Sequence, residues 1–265
     1  MSDRYAVFGN PIAHSKSPQI HAAFALQTGQ ALTYEAILAP LDGFAASIGG
    51  FASSGGLGAN VTVPFKEEAY RLCTRRSTRA EKAAAVNTLS FAEGEIVGDN
   101  TDGTGLVHDV RDNLHYLIAG KKILLMGAGG AARGVVQPLL DENPASLTLV
   151  NRSMEKIELL TRSFTAIAIS SYAALAGRSF DLVINATSSG LRDELPPLPP
   201  DLLAPGALAY DMMYGRETPF MRFAREQGAT VADGLGMLVE QAAEAFFIWR
   251  GIRPQTAPVI AQLRG

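Results

Sequence analysis

The sequence predicts an α/β protein of two domains, the first built on a mostly parallel sheet. Three observations carry this expectation. Short apolar, β-branched runs alternate with helix-period segments along nearly the whole chain. One such run, KKILLM, leads straight into the glycine turn GAGGAA and a helix. The alternation then gives way to a helical tail, LGMLVEQAAEAFFIWRG, residues 235–251.

In the first block RYAVFG (4–9), LTYEAIL (32–38) and GANVTV (58–63) read as strands. Between the first two, Ser17 is placed as an N-cap, Pro18 suits the first helical position and Gly29 ends the run, giving a helix over 18–28. VNTLSF and EIVGDN flank Ala92-Glu93-Gly94 and form a hairpin, which adds an antiparallel pair. A helix is expected over 103–117. In the second block SLTLVNR (146–152), FDLVINATSSG (180–190), ALAYDMM (207–213) and ATVADG (229–234) supply strands and turns. Helices lie at MEKIELLTRSF and near 217–227. The proline-rich LPPLPPDLLAPG (195–206) reads as a surface excursion, because the pattern resumes after it. A shorter helix follows Pro254. The expected domains are 1–101, joined by the returning helices of 237–265, and 102–236, with a ligand cleft between them.

Composition bounds the function. The chain has 265 residues, 47% hydrophobic and 18% charged, enough apolar material for buried cores. No apolar run approaches the roughly 20 residues that cross a bilayer, so no membrane partner is expected. The N-terminus, MSDRYAVFGN, lacks a signal peptide's regions. A formal net charge of −3 offers no general attraction for nucleic acid. A single cysteine, Cys73, excludes an internal disulfide and fits a reducing, cytoplasmic location; with no second thiol it reads as inert. The apolar faces suit a monomer or a homodimer.

GAGGAA (127–132) fits G-x-G-x-x-G/A through Gly127, Gly129 and Ala132, and it follows a strand and opens a helix. Gly127 allows the tight turn, Gly129 admits a pyrophosphate close to the backbone, and Ala132 permits close helix–strand packing. This marks a Rossmann-type domain. S-adenosylmethionine enzymes use related loops, so the glycines alone leave the cofactor open. The next strand end discriminates: a free ribose 2′-hydroxyl normally meets Asp or Glu about 20 residues on. Here stand Asn151, Arg152 and Ser153, with Lys156 a turn later. A guanidinium binds a 2′-phosphate bidentately, which favours NADP over NAD. A solvated helix-start arginine is the alternative.

NVTVPFK (60–66) ends in Pro64, which cannot donate to a sheet, so the strand stops and Lys66 stands near its C-terminal end. On these seven residues alone, a solvent-facing lysine paired with Glu67 or Glu68 is the simpler reading. GDNTDGTG (98–105) gathers Asp99, Asn100, Thr101 and Asp102 before a helix, where Asp102 also reads as an N-cap. A lysine and an aspartate converging in the cleft would handle the proton of a hydroxyl while a nicotinamide takes the hydride.

Seven stretches, YAVFGNPIAHSKSP, ANVTVPFKE, AVNTL, GDNTDG, GAGGAARG, NATSSG and DGLGMLVEQAA, together resemble the shikimate dehydrogenase family, in order and at nearly full length. The resemblance implies NADP-dependent interconversion of shikimate and 3-dehydroshikimate on the route to chorismate and the aromatic amino acids. It implies Lys66 and Asp102 as the catalytic pair, with Lys66 the favoured acid/base. Ser15 and Ser17 would bind the substrate carboxylate; Thr62, Asn87, Asp102 and Gln241 the ring hydroxyls; Tyr214 would line the same pocket. Gly127, Ala128, Gly129, Gly130, Ala131, Asn151, Arg152, Ser153, Lys156, Thr187, Met212 and Gly234 would hold the cofactor. Thr78 departs from the acidic residue common there, and Ser153 and Lys156 replace the commoner Thr and Arg. A broader quinate/shikimate dehydrogenase and a non-catalytic NADP-binding regulator are the alternatives.

No metal is expected: His14, His21, His108 and His115 lack ligand spacing. TSSG (187–190) lacks the G-x-S-x-G frame of a serine nucleophile. Phe246, Phe247 and Trp249 read as core or interdomain packing.

Overall fold

The computed structural model describes residues 2–187 and 193–265, which form two compact units, 1–105 with 238–265 and 106–237. The chain passes between them inside two helices, α5 (Asp102–His108) and α9 (Leu235–Arg250).

Unit one holds a six-stranded sheet in the order β2-β1-β3-β5-β6-β4. β1 (Asp3–Gly9) lies between β2 (Leu32–Leu38) and β3 (Gly56–Val61), all parallel. β5 (Thr88–Ala92) and β6 (Glu95–Asp99) form the antiparallel hairpin, and the short β4 (Arg75–Arg76) closes the edge beside β6. Glu93 and Gly94 both take positive φ, the backbone a two-residue hairpin turn requires. Phe8, Phe44, Phe51 and Phe65 pack one face of this sheet, and Ile20, Phe24, Val239 and Phe246 join α1 (Ser17–Thr28) to α9. Trp249 of α9 stacks on Tyr5 and donates to the Leu89 carbonyl. The last helix, α10 (Ala257–Arg264), packs on the same cluster through Val259.

Unit two is a wholly parallel sheet in the order β12-β11-β10-β7-β8-β9. Its strands are β7 (Lys122–Met126), β8 (Ser146–Val150), β9 (Ile167–Ser170), β10 (Phe180–Asn185), β11 (Leu203–Asp211) and β12 (Thr230–Asp233). The order reverses between β7 and β10, the doubly wound arrangement whose ligands sit at the carboxyl ends of the strands. α6 (Gly130–Asp141), α7 (Met154–Thr161) and α8 (Pro219–Glu226) connect them.

Several expectations are corrected. α1 starts one residue early: Lys16 is the N-cap, and Ser17 is inside the helix, buried beside the Tyr34 hydroxyl rather than capping. β3 ends at Val61, not 63: the Thr62 N–H still donates to the Phe8 carbonyl, but the Thr62 carbonyl accepts from the Phe65 amide in a turn. The helix expected to 117 ends earlier: α5 widens into one i+5 turn, Asp109–Asn113, that sets buried Asp109 against the Tyr210 hydroxyl at 2.6 Å. Asp102 is α5's first residue. The excursion at 195–206 ends in the sheet, since β11 begins at Leu203 and bulges against β10, while Leu202 is fully buried. Among the elements not foreseen by the sequence pattern are α2 (Phe44–Ser53), the two-residue β4, α4 (Thr78–Ala83) and β9. Phe247 is 44% exposed beneath the Arg253 guanidinium and is not core. TSSG lies mostly outside the described residues.

No helix among the described residues is long and apolar enough to cross a membrane, and no group of three or more His, Cys, Asp or Glu is placed to hold a metal.

Candidate active site

In unit one the lysine follows a strand and opens a helix, α3 (Lys66–Leu72). Its Nζ donates to Asp102 Oδ2 at 2.5 Å, and the carboxylate is buried at 4% exposure. The partner is therefore Asp102, the first residue of α5 just beyond β6, rather than a neighbouring glutamate of the same helix. Asp102 Oδ1 accepts from Asn87 Nδ2 at 2.8 Å, and its backbone N–H donates to Asn100 Oδ1. Both carboxylate oxygens thus have a donor, and a buried charge requires such compensation.

Asn87 is itself locked. Its Oδ1 accepts from the Thr101 backbone N–H at 2.8 Å and from the Thr88 hydroxyl at 2.9 Å, which fixes the amide orientation so that Nδ2 faces Asp102 and Gln241. Gln241 Oε1 accepts from Asn87 Nδ2 at 3.2 Å, while its Nε2 donates to the Leu238 carbonyl. Behind Asn87, Asn60 Nδ2 donates to the Thr88 hydroxyl and to the Asn87 carbonyl, and Asn60 Oδ1 accepts from the Tyr34 hydroxyl at 2.7 Å. Sequence reasoning missed Asn60, Thr88 and fully buried Thr101. The available signal was an asparagine inside an apolar strand, Ala59-Asn60-Val61, where a polar side chain needs a buried partner.

Ser15 and Ser17 stand at the start of α1, beyond the carboxyl end of β1. Ser15 Oγ accepts from the Ser17 backbone N–H at 3.3 Å, so its own O–H remains a donor for an anion. Thr62 follows β3, the strand adjacent to β1, and a Cβ on Gly9 would sit 2.4 Å from its methyl group. Gly9 is small so that the two strand ends can carry these residues side by side. One turn beyond Ser17, fully buried His21 stacks on Tyr34 with ring centroids 4.1 Å apart, and both its ring nitrogens lack a hydrogen-bond partner. Burial pushes it down to about 3, only partly opposed by nearby Asn60. It is therefore neutral and an unsuitable general base. Cys73 is likewise buried; its thiol donates to the Ala69 carbonyl and is pushed up to about 11 by burial.

In unit two every cofactor candidate follows a strand of the parallel sheet. Backbone bonds tie the strand ends together: Gly127 N–H to the Val150 carbonyl, Ala186 to Met126, Met212 to Asn185 and Gly234 to Met213. Asn151 to Lys156, Thr187 and Tyr214 belong to the same edge, with Tyr214 half-buried. Gly127 takes φ +118, where a Cβ would meet the Ala186 carbonyl oxygen at 2.9 Å. Gly234 has no alternative, since a Cβ would lie 2.3 Å from the Met212 oxygen. A Cβ on Gly129 would meet nothing within 4 Å, at the N-terminus of a 12-residue helix, and Ala132 is fully buried beneath it. A pyrophosphate fits such a turn, with free helix N–H groups and a positive dipole end. Ser153 is the N-cap of α7. Arg152 is 80% exposed, with Glu194 at 3.6 Å, and Lys156 is exposed. Under the edge, Asp211 accepts from Thr218 and Asn185 side chains and the Met213 N–H, and burial pushes its carboxyl up. Asn185 in turn accepts from Thr187.

A doubly wound unit with a glycine turn at its switch point, joined in one chain to a unit presenting a buried lysine–carboxylate pair, is the architecture of a dinucleotide-dependent dehydrogenase. Three family models match the chain: shikimate dehydrogenase substrate binding domain over residues 7–89, shikimate/quinate 5-dehydrogenase over 110–192, and shikimate 5′-dehydrogenase C-terminal domain over 234–264. A curated relative, shikimate dehydrogenase (NADP(+)) of Dechloromonas aromatica, is 65% identical, covering 100% of this chain and 98% of its own. Among solved structures, an Ael1 enzyme from Pseudomonas putida is 51% identical with a TM-score of 0.94, covering 99% of this chain and 98% of that one. Shikimate 5-dehydrogenase of Thermus thermophilus, solved with NADP(H) and shikimate, is 31% identical with a TM-score of 0.89, covering 99% and 98%. The chain belongs to the shikimate dehydrogenase family.

Proposed function

We propose that the protein catalyses the reversible NADPH-dependent reduction of 3-dehydroshikimate to shikimate, in the cytoplasm, within aromatic amino acid biosynthesis. The observation that carries this reading is the 2.5 Å pairing of Lys66 with buried Asp102, braced by Asn87. The cofactor, when bound, would supply the hydride for reduction as NADPH and accept it for oxidation as NADP+. Lys66 gives a proton from Nζ to the carbonyl oxygen in reduction and takes the hydroxyl proton in the reverse direction. Asp102, with donors on both oxygens, stays an acceptor and holds Nζ in place. A positioned acid/base of this kind contributes roughly 10²–10⁴ in rate.

The Ser15 and Ser17 hydroxyls at a helix start bind the substrate carboxylate. Thr62, Asn87 and Gln241 read the ring hydroxyls through donors and acceptors whose orientation the buried network fixes. Tyr214, after β11, is a further substrate-binding candidate by the family resemblance. On the cofactor, Gly127, Ala128, Gly129, Gly130 and Ala131 take the pyrophosphate, and Arg152, Ser153, Asn151 and Lys156 the 2′-phosphate end. Thr187, Met212 and Gly234 hold the remainder.

The test is turnover at the reduced-cofactor absorbance band, with shikimate or quinate paired in turn with NADP or NAD. Shikimate with NADP should be fastest. Turnover of quinate at a comparable rate would favour the broader enzyme, and cofactor binding without turnover of any pair would sink the assignment.

A further inference from the structure

We propose that Arg79 is a positioning residue for this reaction, clamping the segments that carry Asp102 and Gln241 without touching substrate. The inference rests on the dehydrogenase reading above. Arg79 lies in α4, just after Ser77, whose hydroxyl caps that helix. Its guanidinium forks onto Asp99, Nε to Oδ1 at 2.6 Å and Nη2 to Oδ2 at 2.9 Å. Its third nitrogen, Nη1, donates to Glu244 Oε1 at 2.9 Å and to the Thr104 hydroxyl at 3.1 Å.

Each of these partners sits beside a residue assigned to the chemistry. Asp99 ends β6 three residues before Asp102, and its backbone carbonyl accepts from the Asn87 N–H at 3.0 Å. Thr104 shares the first turn of α5 with Asp102. Glu244 lies about one turn past Gln241 on α9. One planar group thus ties a strand end, one helix start and one helix flank together.

The cluster balances its charge. Glu244 also pairs with Arg253, so two guanidiniums meet two carboxylates. Asp99 further accepts from the Ser77 hydroxyl and the Asn100 N–H. The Arg79 side chain is only 29% exposed, so these bonds are withdrawn from competing water. A lysine, with a single point charge, cannot reproduce a fork and a third arm.

The experiment compares Arg79→Lys, Thr104→Val and Glu244→Met with the unaltered protein, well below their melting temperatures. Each is read by kcat, KM for shikimate and the pH profile of kcat. Misplacing a reacting group by about 1 Å costs up to roughly 10²-fold, so Arg79→Lys should lose about 10-fold or more in kcat and shift the profile. Thr104→Val, which keeps the shape, should lower kcat a few-fold with KM unchanged; Glu244→Met should raise KM with kcat held. If Arg79→Lys fails to fold, the other two decide. Lower melting temperatures with wild-type kcat, KM and pH profile would overturn the positioning role alone. Absence of shikimate turnover in the unaltered protein would instead overturn the reading on which it stands.

Discussion

The site in unit one and the site in unit two are built from opposite materials. Around Lys66 the candidate groups are side chains, buried, and bonded to one another: Asp102, Asn87, Thr88, Thr101 and Asn60 form a continuous polar chain. At the strand ends of unit two the groups proposed to bind the cofactor are backbone at Gly127, Gly129 and Gly234, together with exposed cations at Arg152 and Lys156. The first arrangement fixes geometry, which chemistry needs. The second supplies a shaped backbone and long-range charge, which suffice to bind a phosphate. The difference predicts that changes in unit one are felt in rate, in substrate binding and in folding, and those in unit two in affinity for the cofactor.

The largest effect expected is for Lys66→Ala, a loss of roughly 10²–10⁴ in kcat. The affinity for NADP, measured by titrating protein fluorescence, should be unchanged. A loss of cofactor affinity as large as the loss of rate would break the division between the two regions.

His21 tests the buried character of unit one through pH. Its ordinary value is 6.5 and its folded value about 3, so between these the unfolded chain binds the extra proton. Stability is therefore complete above about 6.5 and declines as pH falls toward 3, by up to about 1.4 kcal/mol per pH unit. His21→Phe removes this dependence whatever its offset at neutral pH. The difference between the urea midpoints of the two proteins should shift steadily in favour of His21→Phe as pH is lowered from about 6 to about 4; parallel curves would mean the imidazole is hydrated.

Next in size is Arg152→Ala. A charge-assisted bond at an exposed position is worth about 1.5 kcal/mol, or about 10-fold in the NADP dissociation constant, with NAD affinity unchanged. Lys156→Ala should do the same to a smaller degree, and added salt should shrink both differences. Equal weakening for both cofactors would refute the 2′-phosphate role. Smallest is the response to a thiol reagent at pH 8, where a thiol raised to about 11 carries about a hundredfold less thiolate than an ordinary cysteine. Cys73 should react slowly in the folded protein, with no loss of turnover over the same period.

What the sequence makes legible and what it hides divides along the same line. GAGGAA and Asn151-Arg152-Ser153 are legible because a glycine turn and a strand end are local: the backbone requirement and the residue that meets it are neighbours in sequence. α2 is hidden because GFAASIGGFASS is poor in good helix formers. Its helix rests on the burial of Phe44, Ile48 and Phe51, a spacing that the sequence does display. β9 is four residues long, too short for period alone to reveal. Ser17 reads as a cap, as its residue type allows, and only the burial beside Tyr34 moves the cap to Lys16. The bulge of β11 beside Leu203 is hidden by the prolines around it.

By itself the sequence determined the alternation of strand and helix, the glycine turn, the basic residues after β8 and the presence of Lys66 and Asp102. These depend on periodicity and on the conformational limits of single residues, which act over a few positions. Tertiary structure alone decided that Asp102 pairs with Lys66 across 36 positions, that Thr88 and Thr101 lock Asn87, and that Arg79 spans to Glu244 across 165. Such partners are chosen by the requirement that buried polar groups be satisfied, and that requirement has no preferred distance along the chain.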